Sequence, residues 1–538
     1  MIKKNYFLPL HNLYELEGKF NYPYIRKFFN IVAIFLVILL LCILARNLNS
    51  PNFWFDESGQ FWLALGQNHY SAANTATQSI KEVWTNSKSF NLDPGGFTLL
   101  LRGLIYSFEN TSPLILRSLP FFFSIALCFG LLYWGYLLKV SLIYSSIAIF
   151  LLFLNSNFLY YSLELRAYSM ELCGVVLLFL ATERISKKNN TSNQILWIAC
   201  LVLFGSSRYS FVIYETAAFA SIITVSYLLK KSIDKQTILL LGFSLLIFNL
   251  FLYFGMLQYQ SVSASPPPYV QDLLIYGKDL NQILVIIKNN FLDSFAISKT
   301  FFLFLYLAYL LKRGSFESIN PKITLLFFYI LFATLIAIFL SIIGKLPWSV
   351  NSKWSLSELS LSALALIGCF AILKDLDFII FIRSRFLFLS HAILPAVILF
   401  LQIYLILGIL KYDRTDKEYE PIYSSLEFIY KRSSAGEMIV LDRWMWPSYR
   451  YIIEKSGLKF SPHQAINLQV MDIEKIPEIR KLAEDSKFPI YIIYGAPWDE
   501  SKKNDFVNSL KGDLNPRVYD MDKYKHLRVI VTRETKNP

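Results

Sequence analysis

Apolar residues in this chain fall in long runs broken by short charged stretches, and the run lengths predict most of its elements. A helix rises about 1.5 Å per residue, so crossing a hydrocarbon core of roughly 30 Å takes about 20 apolar residues. Spans are therefore expected at about 29–46, 118–138, 142–157, 167–183, 237–257, 298–312, 322–343, 355–373 and 385–410. From 195 to 229 the chain is apolar almost without a break, roughly 52 Å as one helix and too long for one crossing. It divides into two spans turning near Ser206, Ser207 and Arg208, which brings the expected total to eleven. Residues 97–108 are apolar but short and carry Arg102, so they read as an amphipathic helix lying in the interface. That reading fixes the side of everything downstream; if this segment crossed instead, the later loops would change sides.

Charge orients the spans. A tail with Lys3, Lys4, Lys19, Arg26 and Lys27 precedes the first span and has no small-residue cleavage site after it, which points to a retained anchor. Basic clusters then recur after alternate spans, as in ERISKK, KKSIDK, LLKR and RSR, and such clusters stay cytoplasmic. The loops at 47–117, 158–166, 206–208, 258–297 and 344–354 are thus expected outside, with Asp56, Glu57, Asp93, Arg117, Glu164, Arg166, Arg208, Lys345 and Lys353 on one face. Beyond residue 410 the pattern changes to helical stretches at 419–432 and 447–456 and strands at 437–442, 489–494 and 527–532. The expected organisation is an α-helical polytopic membrane domain, 1–410, with interfacial helices, then a small extracytoplasmic α/β domain, 411–538.

Composition agrees and excludes several classes. With 55% hydrophobic residues and a mean hydropathy of +0.43, the chain is too apolar for a soluble protein. Its net charge of +13 lies mostly before residue 411, where loop cations orient helices, so it does not indicate nucleic-acid binding. Cys42, Cys128, Cys173, Cys200 and Cys369 all lie in apolar runs without a pairing pattern, and the five histidines are scattered, so no zinc motif exists.

The stretch Pro51 to Tyr70, PNFWFDESGQFWLALGQNHY, sets two adjacent carboxylates, Asp56 and Glu57, among aromatic residues that favour the membrane–water interface. Such a pair suits acid/base chemistry or cation binding, and equally a solvated loop with a helix cap at Asp56. In YYSLELRAYSME, Tyr160 to Glu171, Glu164 and Arg166 stand where a span begins, as a functional pair or a structural one. A divalent metal ion held by Asp56, Glu57 and Glu164 is an open option, since hard cations prefer carboxylates. The 258–297 loop reads as a flap or as packing on the outer face. Trp444, Trp446, Tyr449 and the Pro497-Trp498-Asp499 stretch suit stacking on a sugar or docking onto the membrane domain.

Taken in order, these motifs resemble the GT-C superfamily of integral-membrane glycosyltransferases, which includes protein O-mannosyltransferases and lipid A aminoarabinose transferases. The resemblance rests on Asp56-Glu57 after the first span, Asp93-Pro94-Gly95 before an interfacial helix, Arg117 and Pro120 opening the next span, and Glu164, Arg166 and Tyr168 in the second outer loop. Where relatives carry His or Lys before Pro-Pro, this chain has Asp93-Pro94-Gly95; Arg208-Tyr209 and Lys353-Trp354 stand where relatives often have His-Tyr and Arg-Tyr. The resemblance implies transfer of a sugar from a polyprenyl-phosphate donor to an acceptor on the outer face of the plasma (inner) membrane, the acceptor being a protein, lipid A or another cell-envelope glycan. It implies Asp56 as base, with Glu57 and Glu164 beside it; Arg166, Arg208, Lys353 and Arg117 on the donor phosphate; and Asp93, Tyr168, Tyr209 and Trp354 on the substrates. A transporter or flippase of lipid-linked sugars, an envelope polysaccharide polymerase or ligase, and a sensor whose outer domain binds a ligand are the rival readings.

Overall fold

The computed structural model describes residues 22–67, 79–90, 93–230, 233–257, 275, 277–292, 297–346, 356–376, 394–411, 422–432, 437–455, 467–471, 476–494, 500–511, 514, 516–521 and 528–532. Its first part is helical: α1 (Tyr22–Ala45), α2 (Phe55–Ala64), α3 (Ile80–Phe90), α4 (Gly96–Phe108), α5 (Pro113–Leu137), α6 (Leu142–Leu154), α7 (Tyr168–Lys187), α8 (Thr191–Gly205), α9 (Val212–Leu228) and α10 (Lys235–Leu252). There follow α11 (Leu280–Leu292), α12 (Ile297–Arg313), α13 (Pro321–Ile342), α14 (Glu358–Asp375) and α15 (Leu394–Ile409). A helix underlies each of the eleven apolar segments, and the long apolar run at 195–229 does turn at Ser206 to Arg208. Among the described residues, five stretches are long and apolar enough to cross a membrane: Lys27–Asn49, Pro113–Leu137, Tyr209–Leu228, Lys235–Leu257 and Pro321–Ile342. The protein is a multi-pass membrane protein.

Helix α7 is the hub. It carries Glu171 and Glu183, carboxylates that lipid would oppose, and both are buried with nearly the whole length of the helix among α5, α8, α9 and α14. Aromatic side chains fill the contacts: Trp134 meets Phe179 edge-on at 4.8 Å, and Phe179 stacks on Tyr329 at 5.2 Å. Polar groups in this interior bond across helices: Trp197 Nε1 donates to Thr182 Oγ1 (3.1 Å), Tyr329 OH to Val175 O (3.1 Å) and Ser360 Oγ to Leu172 O (2.9 Å).

One end of the bundle is basic. Lys322 Nζ donates to Leu137 O (2.9 Å), Lys374 Nζ to Lys139 O (3.0 Å), Lys312 Nζ to Leu376 O (3.0 Å) and Arg313 Nη2 to Asp375 O (3.1 Å). Each cation meets carbonyls at or just past a helix C-terminus, the negative end of the helix dipole. Asp56, Asp93, Arg166 and Arg208 lie together elsewhere, on the loops and helix starts that the charge pattern assigns to the other side.

The C-terminal part holds α16 (Ile422–Arg432), β1 (Met438–Asp442), α17 (Trp446–Glu454), β2 (Asn467–Met471), α18 (Ile476–Asp485), β3 (Ile490–Tyr494), α19 (Glu500–Ser509), β4 (Arg517–Asp520) and β5 (Arg528–Val531). The sheet order is β2-β1-β3-β5-β4; β1 runs parallel to β2 and β3, and β5 antiparallel to β3 and β4. The three expected strands are β1, β3 and β5, the inner ones, whose apolar runs reflect burial on both faces. Strands β2 and β4 were not expected: as edge strands they are largely exposed and carry too little apolar signal to stand out. Alternation along β1 sends Val440 toward α18 and α19, while Ile439 and Leu441 join a core that continues into the membrane helices.

Candidate active site

Asp56 and Glu57 occupy the first turn of α2, where the positive end of the helix dipole favours carboxylates. Neighbours on a helix point about 100° apart, so the two side chains diverge. Glu57 turns inward and is 1% exposed. It accepts hydrogen bonds from Arg117 Nε (3.2 Å) and Nη2 (3.1 Å) and from the Leu165 N–H (3.0 Å). Arg117, fully buried on α5, also donates to Ser50 O and Asn52 O and lies 4.5 Å over the Phe53 ring. Two buried charges with a bidentate contact and these further bonds pin α2 to α5 and to the 162–167 loop.

Asp56 turns the other way and begins a chain of alternating charge. Its Oδ1 is 3.9 Å from Arg166 Nη1; Arg166 Nη2 donates to Asp93 Oδ2 (3.1 Å); Arg208 Nε lies 3.5 Å from Asp93 Oδ1. Arg208 Nη1 then donates to Glu171 Oε2 (3.0 Å), and Ser210 Oγ donates to Glu171 Oε1. Side-chain exposure falls along this chain from 24% at Asp56 through 16% at Arg166 to 0% at Glu171. The cluster thus opens at Asp56 and Arg166 and closes inside the bundle.

Burial by itself disfavours the Arg166 cation, but Asp93 and Asp56 outweigh it and hold its pKa above the ordinary arginine value. Arg208 is raised in the same way, against burial, by Glu171, Tyr168 and Asp93, and its guanidinium lies 4.7 Å over the Tyr168 ring. Both stay charged at any working pH. Arg166 Nε is buried and has no hydrogen-bond partner among the described residues. Glu164, fully buried on the same loop, adds to the field that holds the Arg166 charge.

Backbone geometry sets Asp93 against Arg208. Gly95 caps α4 at φ 89°, a left-handed conformation that glycine adopts without a Cβ clash. The Gly96 N–H donates to Ser206 O (2.9 Å), and a Cβ on Gly96 would come within 2.7 Å of that oxygen and 2.0 Å of Ser206 Oγ. The 93–96 turn is thereby tied to the 206–208 turn. Gly96→Ala is expected to lower stability by about 1–3 kcal/mol through this overlap, read as a lower thermal midpoint in detergent. An unchanged midpoint would mean the two turns separate freely.

Asp56, Asp93, Glu164, Arg166, Tyr168 and Arg208, far apart in sequence, thus come together. Glu57 and Arg117 stand apart from that cluster: they bond to each other, Arg117 bonds to Ser50 O and Asn52 O, and Glu57 accepts from the Leu165 N–H. The metal reading fails on the same ground: Asp56 and Glu57 diverge, and among the described residues no group of three or more His, Cys, Asp or Glu side chains converges to hold a cation. Tyr168 is 3% exposed and supports the Arg208 guanidinium, while Tyr209 is half-buried beside it. Lys353, Trp354, most of the 258–297 loop and residues 497–499 lie outside the described residues.

Sequence reasoning missed Glu171 and Ser210. The signal for Glu171 was present, a carboxylate one helical turn beyond Tyr168 inside an apolar span, where a charge needs a partner. A further buried pair, Lys299 with Glu358, ties the first turns of α12 and α14, and Tyr214 OH lies 2.8 Å from Ser357 Oγ.

No protein-family profile matches the chain, and no curated protein sequence matches it. Among solved structures it is similar to the crystal structure of ArnT from Cupriavidus metallidurans bound to undecaprenyl phosphate, with 9% sequence identity, 94% of this chain and 99% of that chain covered, and a TM-score of 0.46.

Proposed function

We propose that this protein is an integral-membrane glycosyltransferase that moves a sugar from a polyprenyl-phosphate carrier to an acceptor hydroxyl on the extracytoplasmic face, with eleven spans and both the site and the C-terminal unit outside. The observation that carries this reading is the contact between Asp56 and Arg166, a carboxylate and a guanidinium 3.9 Å apart at the open end of an otherwise buried charge chain. Two of the motifs that resemble the GT-C superfamily, Asp56-Glu57 and Glu164-Arg166-Tyr168, contribute that contact, and Asp93 of a third bonds to Arg166 beside it.

The chemistry follows from the two groups. An acceptor hydroxyl attacking the anomeric carbon loses a proton, and Asp56, the most exposed carboxylate of this chain of alternating charge, takes it. The bond from that carbon to the phosphate oxygen breaks, and the phosphate gains negative charge. Arg166, at the open end, and Arg208 behind it stabilise that charge. Asp93 and Glu171 hold the two guanidinium planes in place. With Asp56 as base the transfer is a single displacement with inversion. No step requires a metal.

The test is transfer of label from a panel of polyprenyl-phosphate sugars into envelope fractions by the purified, membrane-reconstituted protein. Arg166→Ala is expected to lower transfer on the order of 10²-fold, the usual loss for one charge-stabilising donor. Arg166→Lys should retain part of the rate, because it keeps the charge without the fork. Equal losses in the two variants would mean that charge alone contributes nothing and the guanidinium fork is required, full retention in Arg166→Lys would reduce Arg166 to a bare charge, and no transfer by wild type from any donor would sink the proposal.

A further inference from the structure

We infer that the C-terminal unit is a brace for the helix that carries Asp56, with Tyr451 and Arg450 of α17 as positioning residues; their effect on turnover rests on the function proposed above. The contacts fall on both sides of Asp56. Before it, the Tyr423 N–H donates to Asn52 Oδ1 (2.8 Å), and the Tyr451 ring stacks on Phe53 at 4.3 Å and 17°. After it, Ser448 Oγ lies 2.9 Å from Ser58 Oγ, Trp62 Nε1 donates to Pro447 O (3.0 Å), and Tyr451 meets Phe61 edge-on at 5.0 Å.

Arg450 continues the seam. It is 2% exposed, lies 3.9 Å over the Trp62 ring, and donates to Gln67 Oε1 (2.8 Å) and to Glu454 Oε1 (2.9 Å). A guanidinium buried on an indole is held by its planar face, which a lysine lacks.

The link to the site runs through Phe53. Tyr451 stacks on that ring, and Arg117, which also lies over it at 4.5 Å, holds Glu57, the residue next to Asp56. Tyr451 OH also donates to Thr111 O (2.9 Å), and Thr111 Oγ1 donates to Lys455 O (2.6 Å), fastening α17 to the segment that leads into α5. Asp56 itself meets Arg166. The C-terminal unit therefore bears on where Asp56 stands through the residues on either side of it. A displacement of about 1 Å at a reacting group can cost on the order of 10²-fold in rate.

Two readouts on the full-length protein test the brace. In the transfer assay, Tyr451→Ala is expected to lower kcat by tenfold or more with the KM for the lipid donor within about twofold, and Tyr451→Phe, which keeps the stacking ring, to restore most of it. In a Cys42→Ser background, where the other cysteines are buried, an Asp56→Cys thiol should react faster with a membrane-impermeant maleimide once Tyr451→Ala is added. Should Tyr451→Ala fail to accumulate, Arg450→Lys carries the same expected signs, since it loses the contact with Trp62 and the fork to Gln67 and Glu454. An unchanged kcat per folded molecule together with an unchanged labelling rate overturns the brace. Faster labelling in a protein whose wild type transfers no sugar keeps the brace and removes the transferase reading alone.

Discussion

Asp56→Asn is expected to lower turnover by about two orders of magnitude or more while leaving the amount of folded protein in the membrane unchanged. The amide keeps the size and most of the polarity of the side chain but cannot take a proton. Asp56 is also the member of the charge chain whose loss the fold tolerates best, because it is the most exposed and its contact with Arg166 is long, at 3.9 Å. Arg166 keeps its shorter bond to Asp93 at 3.1 Å and so stays in place in the variant. Transfer by Asp56→Asn within a fewfold of wild type, with normal abundance, would remove Asp56 as the base and leave it a helix-end carboxylate.

Arg117→Ala has the opposite signature, a large loss of stability. It strands the Glu57 carboxylate in the interior and leaves Ser50 O and Asn52 O without their donors. Removing one partner of a buried pair costs about 3–5 kcal/mol, enough to shift the thermal midpoint by many degrees and to cut accumulation. Combining Arg117→Met with Glu57→Leu should recover part of that loss, because no charge is then left buried, though the Leu165 N–H still loses its acceptor. A midpoint in Arg117→Ala equal to that of wild type would show that the pair does not anchor α2.

The two predictions differ although Asp56 and Glu57 are neighbours, and the reason marks what a sequence can and cannot show. That a carboxylate pair sits after the first span, among aromatic residues, is plain in the letters. Which carboxylate faces solvent and which faces an arginine sixty residues on depends on how α2 is rotated about its axis. That rotation is set by α5 and α17. Arg117 is a case in point: beside Pro120 it resembled a phosphate ligand, and its burial against Glu57 and Phe53 gives it an anchoring task. Glu171 was visible as a charge in an apolar span, but its partners, Arg208 and Ser210, lie beyond the next helix.

The apolar helices were legible because hydrophobic length is a local quantity: a long apolar run announces a buried or membrane helix whatever its neighbours do. The inner strands β1, β3 and β5 were legible for a related reason, burial on both faces, whereas the exposed edges β2 and β4 were not. The sequence by itself determined the helical segments, the break at Ser206 to Arg208, and the stock of acids and bases in the loops. Tertiary structure decided the pairing: Asp93 between two arginines, Glu57 on Arg117, and a C-terminal helix against the helix of Asp56. Apolar transfer into the membrane depends on composition over one segment, but the direction of a charged side chain depends on which partner lies within a few ångströms, and only the packed bundle supplies that distance.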